Sequence, residues 1–236
     1  MDGQPIDHIL QRRTDLSTFI VHFTRDTSTS ARDNILSILT SGQIRANASF
    51  GMAAEQLRNT PYEATQRVAC FTETPIEHAW AMSTPIAGRN VRLSQYGVAF
   101  TKDWARKSGV NPVWYLDITP DHDWLTNPLQ QLIDQALEQL NLPFTQPGGL
   151  PPVLRLTPFI EQMGTGTRRD GTTYRKEFAW EREWRHNGTF NFSLGNAVAI
   201  FAPENDHLAL SPTFYPRLGP MLAFLRSWTP IGVSNE

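Results

Sequence analysis

Residues 178–186, FAWEREWRH, fit one regular secondary structure much better than the other. In a helix their charges and indoles would be spread around the axis, without an apolar stripe. In a strand the side chains alternate between two faces. Glu181, Glu183 and Arg185 would then share one face, and Trp180, Arg182 and Trp184 the other. The stretch therefore predicts a strand with buried tryptophans and with acids that line an open polar cleft.

On that open face Glu181 and Glu183 would lie about 7 Å apart, with Arg185 beside them. A carboxylate kept ionised by a guanidinium can stabilise a developing positive charge or activate a hydroxyl or amine nucleophile. The alternative is a surface strand with ordinary cross-strand ion pairs, each contributing about 0–1 kcal/mol. The stretch by itself leaves both interpretations open.

The composition is that of a globular protein. The 236 residues can bury a substantial core, and 40% of them are hydrophobic and 19% charged, which excludes a disordered chain. The net charge of −2 gives no global basic excess of the kind typical of nucleic-acid binders, and it leaves open a local basic patch. We predict a single domain over residues 1–236.

The cysteine content and the N-terminus both favour the cytoplasm. One cysteine excludes an intrachain disulfide framework and a cysteine-based zinc site, as expected in a reducing compartment. The opening residues MDGQPIDH have neither the basic nor the apolar region of a signal peptide. No apolar run approaches the roughly 18 residues that span a bilayer. We predict a soluble, cytoplasmic protein that does not bind membranes.

Short runs of β-branched and aromatic residues predict several further strands. They lie at residues 19–24, 67–72, 96–100, 112–117 and 197–201. Asn187-Gly188 is typical of a hairpin turn after the charged strand. The glycine-rich residues 164–173 and the proline-rich residues 143–152 are predicted to be loops.

Two helices have clear boundary signals. Ser30 with Asp33 resembles a capping box, and Gly42 lies where a C-terminal glycine is expected. Asn127-Pro128 predicts the start of a second helix, whose apolar residues recur at helical spacing up to residue 140. A closing helix is expected over 218–228. Short strands with interspersed helices predict an α+β fold with a mixed or antiparallel sheet.

Polar residues near the ends of three predicted strands are candidates for a ligand site. His22 shares a strand face with Thr24, and could donate a hydrogen bond to a ligand hydroxyl or be a core histidine. Tyr96, which precedes Gly97, could stack on a planar ligand or be a core tyrosine. Glu73 directly follows a strand, and could line a site or be a solvated turn acid.

Other residues with reactive side chains fit a structural interpretation better. Cys70 lies in mid-strand without an adjacent base, which is typical of a buried structural thiol. Residues 164–166 are not a dinucleotide fingerprint, because they follow no predicted strand and begin no helix. Residues 121–123, Asp-His-Asp, lack a partner cluster, so we predict no metal site. Arg168 and Arg169 could contact phosphates or be solvated.

The order of these segments resembles the bacterial abortive phage-resistance family called AbiGi, over residues 19 to 201. The segments that carry the resemblance are His22-Phe23-Thr24, residues 34–39 with Gly42, residues 70–75 (CFTETP), residues 96–100 (YGVAF) with Lys102, residues 111–115 (NPVWY) and residues 181–185 (EREWR). The resemblance implies a component of an abortive-infection system, sometimes described as an antitoxin. Its partner would be another protein of the same defence operon.

The same order of motifs also resembles ADP-ribosyltransferases, including the DNA-modifying DarT enzymes. These enzymes have a strand with a histidine followed by a helix, a later aromatic residue over the nicotinamide, and a late strand with a glutamate. This resemblance implies an ADP-ribosyltransferase-like fold, with NAD⁺ as a substrate, no metal, and a nucleic acid or a protein as acceptor.

That second resemblance implies two groups of site residues. The catalytic group is Glu183, His22 and Tyr96, and the NAD⁺-binding group is Thr24, Glu181, Arg185 and Glu73. His22 and Thr24 would hold the ribose or the amide of NAD⁺, and Tyr96 would stack on the nicotinamide. Glu183 would bind the nicotinamide ribose and stabilise the oxocarbenium-like transition state. The other expected contacts are Glu181 and Arg185, which would tune Glu183 and orient the pyrophosphate or the acceptor, and the strand-end acid Glu73.

Three functions are therefore expected, in this order. The first is phage defence by transfer of ADP-ribose from NAD⁺ to a macromolecule such as nucleic acid, or by cleavage of NAD⁺. The second is a non-catalytic antitoxin of a toxin–antitoxin-like pair. The third is a metal-independent ribonuclease in which His22 and Glu183 form a general acid–base pair.

Overall fold

The computed structural model of the chain describes residues 16–75, 78, 80–84, 92–140, 149–167, 170–207 and 210. Helices and short, mostly antiparallel strands make up these residues, which confirms the predicted α+β class with interspersed helices. None of the helices in this part of the chain is long and apolar enough to cross a membrane. The predicted closing helix, Arg168 and Arg169, and residues 143–148 of the predicted proline-rich loop lie outside the described residues.

The secondary structure is numbered in chain order. The strands are β1 Phe19–Phe23, β2 Gln43–Ile44, β3 Ala48–Ser49, β4 Arg67–Thr72, β5 Gly97–Thr101, β6 Asn111–Pro112, β7 Trp114–Asp117, β8 Ile160–Thr167, β9 Thr173–Lys176, β10 Glu183–Asn187, β11 Phe190–Asn191 and β12 Ala197–Phe201. The helices are α1 Ala31–Ser41, α2 Trp80–Ser83, α3 Lys102–Lys107, α4 Thr126–Leu140 and α5 Pro152–Leu156. Short 3-10 turns cover Glu63–Gln66, Thr157–Phe159, Ala179–Glu181 and Leu194–Asn196.

The chain divides into two compact units, each built from separated segments. Unit 1 takes its residues from Met1–Gln43, Phe71–Ser108 and Asn191–Glu236, and unit 2 from Ile44–Cys70 and Gly109–Phe190. One domain over the whole chain stays a prediction.

Unit 1 is organised by antiparallel pairing of β12 with β5, β5 with β1, and β1 with the end of β4. Val21, Phe23, Ala99, Phe201 and Met82 of α2 form a buried apolar cluster. A side chain at residue 97 would meet the backbone, because a Cβ there would lie 2.8 Å from the carbonyl oxygen of His22. Glycine at that position therefore lets β5 pair closely with β1.

Helix α1 of unit 1 has the predicted caps. The Ser30 hydroxyl accepts a hydrogen bond from the backbone N–H of Asp33 at 3.0 Å. At the other end Gly42 adopts a left-handed conformation with φ of 66°. Both boundary predictions for this helix are confirmed, because capping depends on residues within a few positions of each helix end.

Unit 2 contains two sets of strands. In the first, β7 pairs in parallel with β8, and β8 pairs antiparallel with β9. In the second, β3, the start of β4, β10 and β6 lie side by side. Helix α4 begins at Thr126, one residue before the predicted cap, and its Ile133 and Ala136 pack against Leu154 of α5.

Three predictions about local structure are wrong. The charged stretch is a strand only from Glu183 onward, because Ala179–Glu181 form a 3-10 turn and Arg182 has a positive φ of 46°. Gly164–Thr167, predicted as a loop, are the last residues of β8 and pair with β9. The residues after the Asn187-Gly188 turn form β11, which pairs with β2 and so does not close a hairpin with β10.

Candidate functional site

In unit 2, the side chain of Arg185 lies at the centre of a buried group of charges. Only 1% of this residue is exposed. Its Nε lies 3.0 Å from Oε1 of Glu183, and its Nη2 lies 2.8 Å from Oε2 of the same carboxylate. Nη1 donates to the Pro158 carbonyl at 2.8 Å, and Nη2 also binds the carboxylate of Glu161. We call Arg185, Glu183, Glu161 and Lys176 the Arg185 cluster, since Lys176 binds the other oxygen of Glu161.

Strand geometry explains how these side chains meet. Glu183 and Arg185 are two residues apart on β10, and alternation along a strand puts them on one face. Glu161 is the second residue of β8, and Lys176 is the last residue of β9, which pairs with β8. The Tyr115 hydroxyl accepts a hydrogen bond from the backbone N–H of Glu183 at 2.8 Å, at the point where β10 begins.

The predicted open face of the charged strand is therefore wrong. Glu181 lies in the 3-10 turn, outside the strand that carries Glu183. Arg185 is buried, and on its other side the Phe50 ring lies 4.9 Å from the guanidinium carbon. Trp180, predicted to be buried, is exposed, while Trp184 is buried as expected.

The charges of the cluster change the acidity of its neighbours. Burial acts to lower the pKa of Arg185, but the charge of Glu183 and its hydrogen bonds outweigh this effect and raise the pKa above its usual value. Burial, followed by the charge of Glu183, raises the pKa of the Cys70 thiol well above its ordinary value. A thiol with a raised pKa is a poor nucleophile, which agrees with a structural role for Cys70.

Glu161 gives the cluster a testable pH dependence. Burial acts to raise the pKa of Glu161, but the Arg185 charge and the hydrogen bond from Lys176 prevail and lower it. A carboxylate with a lowered folded-state pKa stabilises the fold above its unfolded pKa of about 4.3, and this stabilisation is lost as the pH falls through the folded value.

We therefore expect the difference in unfolding free energy between wild type and Glu161→Gln to be constant near pH 7 and to shrink below about pH 4.3. Thermal or urea unfolding measured from pH 3 to pH 7 checks this. A difference that stays the same over the whole range would contradict the charge-based account.

In unit 1, the structure brings Thr24 and Tyr96 together. The Thr24 N–H donates to the Tyr96 carbonyl at 2.8 Å, and the buried Thr24 hydroxyl donates to the Ala31 carbonyl at 3.0 Å. The Tyr96 hydroxyl donates to Asp206, which also pairs with Arg32 at 3.3 Å. Burial, and then the hydrogen bond to Asp206, raise the pKa of Tyr96 to about 12.

His22 and Glu73, the other predicted residues of unit 1, have different surroundings. The half-buried His22 ring meets the Phe71 ring in an edge-on arrangement, with centroids 5.9 Å apart. The Glu73 carboxylate accepts a hydrogen bond from Lys102 at 2.7 Å, and both side chains are largely buried. Glu73 is thus not a solvated turn acid.

The predicted residues fall into the two units. His22, Thr24, Tyr96 and Glu73 belong to unit 1, whereas Glu181, Glu183 and Arg185 belong to unit 2. A pocket shared by His22 and Glu183 therefore stays a prediction, as do the NAD⁺ contacts. Within the described residues, no three side chains of the metal-binding types lie together as a metal site would require.

Glu161 and Lys176, two members of the Arg185 cluster, were not among the residues predicted from the sequence. Both lie in strands that were not predicted, and their sequence spacing gives no sign of contact. Lys102 was noted only as part of a family motif. Lys102 is the first residue of α3 and directly follows β5. Because strand ends often place polar side chains together, this position could have indicated Lys102 as a site candidate.

A protein-family model matches part of the chain. Residues 55–207 match the model of a family described as abortive phage resistance protein AbiGi, antitoxin. No curated protein and no solved structure matches the chain significantly. The matched region contains four of the six segments on which the resemblance was based, among them the strand of Glu183 and Arg185. Because the match covers more than half of the 236 residues, the chain belongs to the AbiGi family of abortive phage-resistance proteins.

Proposed function

We propose that this protein is the antitoxin of an abortive-infection pair and acts by binding a partner toxin, without catalysis of its own. The observation that carries the proposal is the pairing of both Glu183 carboxylate oxygens with Arg185, at 3.0 and 2.8 Å. A catalytic carboxylate must turn its charge toward the reacting atoms. Here that charge is already compensated by a fixed guanidinium, and the family description as an antitoxin supports the same conclusion.

The exposed surface of unit 2 supports protein binding. The large apolar side chains that are exposed within the described residues all belong to this unit: Trp114, Trp124, Leu132, Leu156 and Trp180. Trp124 is 78% exposed. Tryptophan is strongly enriched among the residues that dominate binding energy at protein interfaces. We therefore propose that the toxin binds to unit 2. We also propose that the protein acts in the bacterial cytoplasm.

Co-expression with the product of the neighbouring reading frame tests the proposal. We expect wild type to restore growth and to copurify with that product. Glu183→Gln should retain both properties, because Glu161 and the Pro158 carbonyl still hold Arg185. The double substitution Trp114→Ser with Trp124→Ser should lose both, since each indole would anchor the complex.

Arg58→Gln, at an exposed ion pair with Glu55, is the matched surface control and should behave as wild type. Thermal unfolding of each variant separates loss of binding from loss of folding. Neutralisation that survives the double tryptophan substitution would contradict the proposed surface. Absence of any copurification in wild type would contradict the proposal itself.

ADP-ribosyl transfer from NAD⁺ to a nucleic acid or protein acceptor is the second candidate. The observation that favours it is the direct hydrogen bonding between Thr24 and Tyr96, two residues expected at the nicotinamide end. Labelled NAD⁺, incubated with the protein, cell extract and nucleic acid, distinguishes the two functions. Nicotinamide release that Glu183→Gln abolishes would favour the transferase, and no release would favour the antitoxin.

A further inference from the structure

We propose that unit 1 has a binding site for a small nucleotide, whose phosphate is held by Arg25 and Arg92. The site is a cleft of about 670 Å³ at the end of β1. This inference goes beyond the antitoxin proposal, because the cleft lies in unit 1 and the proposed toxin-binding surface lies in unit 2.

Two chain segments that hydrogen bonds hold together form most of the cleft, and Ser83, the last residue of α2, also lines it. One segment, residues 25–27, begins two residues after the end of β1, and the other, residues 92–95, lies shortly before β5. The Ser94 N–H donates to the Thr24 carbonyl at 2.8 Å, and the Ser94 and Thr24 hydroxyls are 3.1 Å apart. Since β1 and β5 also pair along their length, the two walls have a fixed spacing before any ligand binds.

The charges that line the cleft favour an anion. Arg25 and Arg92 both line it, and neither forms an ion pair with another residue in the described ranges. The single acid of the lining is Asp26, whose Oδ1 already accepts a hydrogen bond from the Ala31 N–H at the start of α1, at 2.8 Å. Two guanidiniums against one carboxylate leave a positive balance. The planar fork of arginine matches phosphate oxygens.

The size and the remaining lining favour a nucleotide over free phosphate. Pockets for small molecules typically enclose about 300–1,000 Å³, and this cleft lies within that range. Leu93 supplies apolar surface, while Gln95 offers a donor and an acceptor on one amide. A base and a ribose can make both kinds of contact. An inorganic anion would not contact Leu93 favourably and would leave most of the cleft unfilled.

Isothermal titration calorimetry on the full chain tests this, with AMP, NAD⁺, adenosine and inorganic phosphate as probes at low ionic strength. We expect AMP to bind, and adenosine and phosphate each to bind at least about tenfold more weakly, a difference of roughly 1.4 kcal/mol. Arg25→Gln and Arg92→Gln should each weaken AMP binding by about tenfold or more. Arg58→Gln, remote in sequence and exposed, should leave it unchanged.

Several results would overturn the proposal. It would be wrong if AMP did not bind, or if adenosine or phosphate bound as tightly as AMP. It would also be wrong if both arginine variants kept full AMP binding, or if oligonucleotides bound and AMP did not. Equal thermal unfolding of the variants without ligand rules out misfolding as the cause of a loss. NAD⁺ that binds with the same sensitivity to Arg25→Gln and Arg92→Gln supports the site. Neutralisation of the toxin is measured separately, so failure of one proposal does not imply failure of the other.

Discussion

Replacing Arg185 with methionine is expected to lower the free energy of unfolding by about 3–5 kcal/mol. The substitution keeps an extended apolar side chain beside Phe50 but removes the positive charge. Glu183 and Glu161 would then be left as neighbouring carboxylates, and Lys176 would remain as a counter-charge for Glu161 alone. Loss of one partner from a buried ion pair is costly because the remaining charge has no compensating interaction.

Urea unfolding at pH 7 measures the effect, and Arg175→Met is the matched control. Arg175 lies 2.9 Å from Glu177, but both side chains are mostly exposed. When Arg175 is removed, water can still solvate the exposed Glu177 carboxylate. The free energy of unfolding of the control should therefore change little. An Arg185→Met protein within about 1 kcal/mol of wild type would show that the Arg185 cluster does not hold unit 2 together.

Lys102→Met is expected to have an effect of similar size in unit 1, about 3–5 kcal/mol. The Lys102 amine lies 2.7 Å from the Glu73 carboxylate, and the two side chains are only 11% and 12% exposed. Without the ammonium group, the Glu73 carboxylate would lose its paired charge in a poorly solvated position. The same urea titration measures the loss.

The same helix offers a control for this prediction. Lys107 also has a carboxylate at 2.7 Å, that of Asp103, yet its side chain is 73% exposed. Lys107→Met should therefore change stability little, although the helix, the substitution and the pair distance are the same. Equal effects at the two positions would mean that burial does not determine the strength of these pairs.

These pairs change how the family motifs are interpreted. Glu73, Lys102, Glu183 and Arg185 all lie in segments that carry the resemblance to AbiGi, and each forms a largely buried ion pair within its own unit. Charged residues in such motifs suggest catalysis when only the sequence is available. In the structure these four residues form two ion pairs, Glu73 with Lys102 and Glu183 with Arg185. Arg25 and Arg92, which line the proposed nucleotide site, lie outside the motif segments: Arg25 directly follows Thr24, and Arg92 lies four residues before Tyr96.

The sequence by itself determined the elements that depend on local interactions. Strands β4 and β12 begin and end at the predicted residues, because β-branched and aromatic runs favour extended backbone. Helix α1 begins and ends at its predicted caps. The α+β class and the family resemblance also followed from the order of such elements, before any contact between them was known.

Only the tertiary structure decided which charged groups meet and which are buried. Glu161 and Arg185 are 24 residues apart in the chain, and Glu73 and Lys102 are 29 apart, so no local pattern relates them. The charged stretch looked like a strand with an open polar face because alternation predicts which side chains share a face, but not what covers that face. Burial of Arg185 depends on the Pro158 carbonyl, Phe50 and Glu161, all supplied by other segments. The environment of a side chain is a property of the packed chain, and it determines whether an acid is available for chemistry or used in folding.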